Sequence, residues 1–212
     1  MKRKLAGLYA ITPDESGTEI LVSKVARALR GGASVVQYRN KTASPALRRE
    51  QGRALAALCR EANACFIVND DLGLALELDA DGAHLGAEDG DLDAARKLLG
   101  QGKLLGASCY DRIELARAAV LANADYLAFG SVFGSVTKPA AVRAPLALFA
   151  EARRRFSLPL VAIGGINLQN APQAFAAGAD AVAVISALFD ADDIVEQAAG
   201  FTRLHQQQRM QQ

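Results

Sequence analysis

Histidine is nearly absent from this chain. The two present, His84 and His205, lie far apart, one inside an apolar run and one near a polar C-terminal tail. A serine or cysteine nucleophile needs an adjacent base, so a hydrolytic triad is not expected. Cysteine is scarce too: Cys59, Cys65 and Cys109 are an odd number in apolar contexts, with none of the CxxC spacing of a metal or redox site. Buried thiols in a reducing cytosol are expected, which places the protein in the cytoplasm. Charge of one sign is lacking. Lys and Arg number 24 against 23 Asp and Glu, so the chain has no general attraction to nucleic acid or membrane, and any basic site must be local. Long apolar runs are missing as well, and no stretch is expected to span a bilayer. The basic start Met1-Lys2-Arg3-Lys4 is followed by an apolar run that meets Thr12-Pro13-Asp14-Glu15, too short and too soon broken for a signal peptide.

What the chain does have is apolar material. Of 212 residues 51% are hydrophobic, enough for one sizeable core. Short β-forming runs alternate with segments of helical spacing. The strands read as Leu8–Ile11, Ser34–Arg39, Cys65–Val68, Ala80–Gly86, Lys103–Ser108, Asp125–Gly130, Leu160–Ile163 and Ala181–Ile185. The helices read as Glu19–Arg30, Ser44–Ala62, Leu72–Leu78, Asp91–Gly100, Asp111–Ala122, Pro145–Phe156, Leu168–Ala177 and Asp192–Gln206. Gly31-Gly32 stops the first, and Ser44-Pro45 opens the second with a cap and a proline at the first turn. Residues 1–206 are expected to form one domain, with 207–212 a polar, frayed tail.

Strict alternation demands parallel strands joined by helical crossovers. Eight such units in this length fit a closed (β/α)8 barrel, a single-domain α/β fold, better than an open sheet. An open nucleotide-binding sheet would place GxGxxG after the first strand, and Thr12-Pro13-Asp14-Glu15 stands there instead.

In a (β/α)8 barrel the carboxyl ends of all strands face one mouth, so the polar residues at the strand exits should meet. The third strand, Cys65-Phe66-Ile67-Val68, runs into Asn69-Asp70-Asp71. One of these can cap the following helix; three exceed that need. On the second strand, Gln37, Arg39 and Lys41 share a face by their spacing of two, while Tyr38 and Asn40 face the helices. The fourth strand contributes His84, Gly86, Glu88 and Asp89. His84 reads as a hydrogen-bonded core residue rather than a ligand. Asp70 and Asp89 come from neighbouring strands and can converge. Two carboxylates about 4 Å apart repel by roughly 4 kcal/mol at an effective dielectric of about 20, which a proton, a lysine or a divalent cation must relieve. Hard oxygen donors suit Mg²⁺. Ser108, with Cys109 and Tyr110 behind it, reads as a hydrogen-bonding residue.

After the sixth strand comes Gly130 to Pro139, a loop of small residues and hydroxyls with one lysine, Lys138, suited to phosphate oxygens. Overlapping it and running on past it, Ser131–Val142 is the candidate lid. The seventh and eighth strands exit at Gly164-Gly165 and Ile185-Ser186, the usual phosphate position of this architecture. Two anion-seeking regions at one mouth imply two phosphorylated substrates, or one phosphorylated at both ends.

The motifs Gln37-Tyr38-Arg39-Asn40-Lys41, Val68-Asn69-Asp70-Asp71, His84-Leu85-Gly86-Ala87-Glu88-Asp89, Thr137-Lys138-Pro139, Ile163-Gly164-Gly165-Ile166 and Val184-Ile185-Ser186-Ala187, in this order, resemble the thiamine phosphate synthase family over nearly the whole chain. The resemblance implies a TIM barrel that joins 4-amino-2-methyl-5-hydroxymethylpyrimidine diphosphate to 4-methyl-5-(2-hydroxyethyl)thiazole phosphate and requires Mg²⁺. It further implies that Gln37, Tyr38, Arg39, Asn40, Lys41, Asn69, Ser108 and Lys138 hold the pyrimidine diphosphate. Ser135, Val136, Thr137, Gly165, Ile185 and Ser186 would hold the thiazole phosphate, and Asp70 and Asp89 the Mg²⁺. Arg39, Lys41, Lys138 and Ser108 would carry catalysis, by a dissociative route. Ser131, Gly134 and Ser135 depart from the family's threonine- and proline-rich loop, and Cys109-Tyr110 from its usual residues after Ser108. Expected partners are two phosphorylated small molecules, with no nucleic acid and no membrane; a homo-oligomer is left open. The rival readings are a thiazole tautomerase on the same barrel, which needs no diphosphate apparatus, and a non-catalytic phosphate-binding regulatory barrel, which needs no acidic pair.

Overall fold

The computed structural model describes residues 5–86, 89–134 and 142–210. Eight parallel strands close into a barrel in the order β1-β2-β3-β4-β5-β6-β7-β8. They are β1 (Gly7–Ile11), β2 (Val35–Tyr38), β3 (Cys65–Asn69), β4 (Gly82–Leu85), β5 (Leu104–Tyr110), β6 (Tyr126–Phe129), β7 (Leu160–Ile163) and β8 (Ala181–Val184). The helices between them are α1 (Thr18–Arg30), α2 (Pro45–Glu61), α3 (Leu72–Glu77), α4 (Leu92–Leu99), α5 (Ile113–Leu121), α6 (Ala147–Arg155) and α7 (Ala171–Ala176). After β8 come a short helix, α8 (Ser186–Phe189), and the closing helix α9 (Ile194–Met210). The expected single-domain (β/α)8 architecture is therefore the observed one. Among the described residues, no helix is long and apolar enough to cross a membrane.

Period-two alternation sorts the strand residues into two cores. Leu8, Ala10, Val36, Phe66, Val68, Ala83, Leu105 and Leu127 point outward under the helices. Tyr9, Ile11, Val35, Cys65, Ile67, Leu104, Tyr126, Ala128, Val161, Ala181 and Ala183 fill the barrel itself. Large and small residues alternate around the interior so that the layers interdigitate. The ring of Tyr126 passes over Gly106, where an added Cβ would lie 2.0 Å from Cζ. The three cysteines are buried thiols and form no disulfide.

The amino-terminal end of the barrel is closed by side chains that precede alternate strands. Asp81, Asp125 and Asp180 accept the backbone N–H of Phe66, Leu105 and Leu160, each at 2.8 Å. Arg96, buried to 5% exposure, anchors the middle one: it ion-pairs with Asp125 at 2.5 Å and donates to the carbonyls of Gly100, Lys103 and Asn123. His205 belongs to this region as well, its ring 5.3 Å from that of Phe175 and its Nδ1 beside Gly7.

Helix starts follow the sequence closely. Ser44, Asp71 and Asp91 accept the N–H of Leu47, Leu74 and Ala94 as caps, each worth about 1 kcal/mol. Two ends differ. The helix expected from Leu168 begins at Ala171, because Asn167 and Asn170 first make a turn in which Asn170 Oδ1 accepts from Asn167 N. The last helix continues past Gln206 to Met210.

Candidate active site

The carboxyl ends of the strands open on one cavity of about 470 Å³. Asp71 is spent as the cap of α3, its Oδ1 accepting from Leu74 N at 2.9 Å. Asn69 and Asp70 are thereby left to line the cavity. Asp70 adopts φ +59°, held by its N–H donating to the His84 carbonyl at 2.9 Å, which turns the chain off β3 at the rim.

The second strand delivers Gln37, Arg39 and Lys41 to the same cavity. Arg39 is fixed by residues that the sequence does not single out. Thr12 Oγ1 accepts from Arg39 N and donates to Arg39 O, both at 2.8 Å. Asp14 accepts from Arg39 Nη1 at 3.2 Å and from Lys41 N at 2.7 Å. Tyr38 and Asn40 do not join the cavity. Tyr38 Oη donates to Gln51 at 2.9 Å, and Asn40 Nδ2 donates to Glu15 O at 2.7 Å and to Gln51 Oε1 at 3.0 Å. Both point to the helical layer, as their alternation predicts, and not into the cavity where the resemblance would have them hold the pyrimidine diphosphate; they line a second pocket beside Arg39, Lys41, Asn69 and Asp70.

Asp70 and Asp89 meet at one rim. Burial raises the Asp70 pKa above the usual carboxylate value, and the neighbouring Asp89 raises it further by hydrogen bonding and like charge, against Lys41 and Asn69, which lower it. Lys41 Nζ stands 3.6 Å from Asp70 Oδ2. The other carboxylate is aimed by the backbone of Gly86, whose N–H donates to Asp89 Oδ2 at 2.9 Å. One lysine against two close carboxylates leaves the pair short of positive charge, and oxygen donors of this kind fit a hard divalent cation such as Mg²⁺.

The floor is polar. His84 Nε2 lies 2.9 Å from Ser108 Oγ and its Nδ1 lies 3.1 Å from Tyr126 Oη. Burial pushes the imidazole pKa down to about 4, with Asp89 opposing, so His84 is neutral at physiological pH. It is a hydrogen-bonded core residue as expected, and it also lines the cavity. Cys109 is fully buried, and burial pushes its thiol up to about 12, so it supplies no thiolate. Tyr110 lines the cavity beside Gly86 and Asp89.

On the far side of the cavity stand Gly165, Ile185 and Ser186. Gly165 has φ +63°, and a Cβ there would lie 2.2 Å from the Gly134 carbonyl oxygen. The backbone between β7 and α7 therefore packs directly on the loop after β6, a close approach that only glycine permits. Ser135, Val136, Thr137, Lys138 and Glu88 lie outside the described residues.

Comparison with known proteins agrees with this geometry. The family model for thiamine monophosphate synthase matches residues 8–188. A thiamine-phosphate synthase of Aromatoleum aromaticum is 58% identical over 95% of this chain and 97% of its own length. Another, of Methylobacillus flagellatus, is 54% identical over 94% of this chain and 95% of its own. The structure of a thiamine phosphate pyrophosphorylase from Pyrococcus furiosus superposes with a TM-score of 0.85 at 35% identity, covering 96% of both chains. A 3-hexulose-6-phosphate synthase, 15% identical with a TM-score of 0.71, shares the barrel alone. Matched by that model over most of its length, and by synthases at this identity end to end, the chain belongs to the thiamine monophosphate synthase family.

Proposed function

We propose that this chain is a transferase that condenses 4-amino-2-methyl-5-hydroxymethylpyrimidine diphosphate with 4-methyl-5-(2-hydroxyethyl)thiazole phosphate, forming thiamine phosphate and releasing diphosphate. One observation carries the reading: a single cavity joins a rim of Arg39, Lys41, Asp70 and Asp89 to an opposite rim of Gly165, Ile185 and Ser186. Two anionic substrates can thus face each other across it. A tautomerase would have no use for the first rim.

The bond between the pyrimidine methylene and the diphosphate oxygen breaks with its electron pair leaving on diphosphate. The aminopyrimidine ring spreads the resulting positive charge, and the thiazole nitrogen lone pair closes the new C–N bond. Arg39 and Lys41 face the charge that grows on the leaving diphosphate, and Lys138 is assigned to the same task. Asp70 and Asp89 would hold Mg²⁺, which when bound supplies further neutralisation of the diphosphate oxygens. Gln37, Asn69 and Ser108 hold the pyrimidine, while Gly165, Ile185 and Ser186, with Ser135 to Thr137, hold the thiazole phosphate. Ile11, Ala128, Ile163 and Ala183 give the cavity apolar walls, which limit capture of the cation by water. Chemistry of this kind asks for positioning and fixed charge rather than a nucleophile or poised base.

Incubation of the full chain with both substrates and Mg²⁺ tests the reading. Thiamine phosphate and diphosphate should appear in equal amounts, and neither should form when one substrate is omitted. Diphosphate release without thiamine phosphate would refute it.

A further inference from the structure

A file of polar side chains crosses the barrel beneath the cavity. Gln37 Nε2 donates to Tyr9 Oη at 3.2 Å, Tyr9 Oη meets Tyr126 Oη at 2.8 Å, Tyr126 Oη meets His84 Nδ1 at 3.1 Å, and His84 Nε2 meets Ser108 Oγ at 2.9 Å. Five residues from five strands take part. Both tyrosines and Gln37 are buried to 3% exposure or less. The two ends, Gln37 and Ser108, line the cavity, while the tyrosines lie below it. Burial raises both phenol pKa values far above the ordinary range, so both hydroxyls keep their hydrogens.

Each hydroxyl has one hydrogen to give, and so does a neutral imidazole. A direction chosen at one end is therefore carried to the other. Gln37 gives an N–H to Tyr9, which leaves its carbonyl Oε1 for the cavity. With Tyr9 donating to Tyr126 and Tyr126 to His84 Nδ1, the imidazole carries its hydrogen on Nε2. That hydrogen goes to Ser108 Oγ, and the Ser108 hydrogen turns to the cavity. Reversing the file would exchange the character of both ends.

We propose that Tyr9, Tyr126 and His84 are positioning residues that fix this polarity, so that the floor offers an acceptor at Gln37 and a donor at Ser108. An aminopyrimidine presents the complement: an exocyclic amine that donates and a ring nitrogen that accepts. The same floor rejects a hydroxypyrimidine in its keto form, whose ring N–H would face the Ser108 hydrogen. The substrate clause rests on the function proposed above; the polarity itself does not.

Side-chain ¹⁵N NMR of the substrate-free protein reads the His84 tautomer directly. The wild type should show hydrogen on Nε2 alone. Tyr126→Phe removes the donor to Nδ1, and both tautomers should then appear. Hydrogen on Nδ1 in the wild type, or a single unchanged tautomer in the variant, overturns the proposal. The wild-type measurement decides even if the variant does not fold. In kinetics, Tyr126→Phe should raise the KM for the pyrimidine diphosphate about tenfold, the loss of one hydrogen bond, with the KM for the thiazole phosphate unchanged. Equal rises in both, or no rise in either, contradict a positioning role. A wild-type protein with the Nε2 tautomer and no synthase turnover would instead overturn the functional reading and the substrate clause with it.

Discussion

His84 makes the stability of this protein depend on acid in a way that can be isolated. In the folded barrel its imidazole titrates at about 4, because burial disfavours the charged form; in the unfolded chain it titrates near 6.5. The folded pKa is depressed, so between these values the unfolded state binds the extra proton. The stability involved is fully present above about pH 6.5 and is lost as the pH falls toward 4. At about 1.36 kcal/mol per unit, the step from neutrality to pH ~5 costs about 2 kcal/mol, a substantial share of a typical domain's stability of roughly 5–15 kcal/mol. The assay is urea denaturation at a series of pH values, comparing the wild type with His84→Asn. Carboxylates titrate in both proteins and cancel in the difference. The wild type should lose about 2 kcal/mol relative to the variant between pH ~7 and ~5. Parallel profiles would refute the reasoning, since they would mean that His84 is charged, or accessible to protons, inside the fold.

Other predictions attach to single residues. Asp70→Asn should reduce Mg²⁺-dependent turnover by more than about a hundredfold yet stabilise the metal-free protein at neutral pH: the folded Asp70 pKa is raised by burial and Asp89, so its ionised form opposes folding once the pH exceeds that value. Thermal melting without metal checks the second half. Arg96→Met should cost roughly 3–5 kcal/mol in urea denaturation, because it removes the cation paired with the Asp125 carboxylate and the donor to three backbone carbonyls. Gly165→Ala drives a Cβ onto the Gly134 carbonyl and should lower turnover about a hundredfold by displacing the loop, with the KM for the thiazole phosphate rising more than that for the pyrimidine diphosphate. Lys138→Ala should weaken diphosphate handling far more than thiazole binding, as competition by inorganic diphosphate would measure.

The elements that could be read from the residues are those set by local rules. Alternation of apolar runs with helical spacing is local, and it led to the closed barrel. The spacing of Gln37, Arg39 and Lys41 is local too, and it placed all three at the cavity with Tyr38 and Asn40 turned away. Three polar residues after the third strand exceed what a cap requires; Asp71 is the cap, and Asn69 and Asp70 remain at the site. What escaped depends on partners distant in sequence. Tyr9 and Tyr126 stand 117 positions apart, and either reads alone as one more apolar strand residue. Thr12 and Asp14 read as the end of a strand, and only the pairing of β1 with β2 turns them toward Arg39. The last helix passed Gln206 because its hydrogen-bonded ladder continues once Ala198 and Phe201 are docked in the core; an exposed polar turn needs no face of its own to extend a helix already held.

In the function proposed above, the carboxylates of Asp70 and Asp89 share one divalent cation at the rim, and calorimetric titration of Mg²⁺ into the protein with inorganic diphosphate present puts that to the test. The wild type should bind one ion, and Asp70→Asn and Asp89→Asn should each weaken that binding at least about tenfold, the double variant adding little to either single one. Unchanged affinity in both single variants, or losses that simply add, would contradict a shared ion.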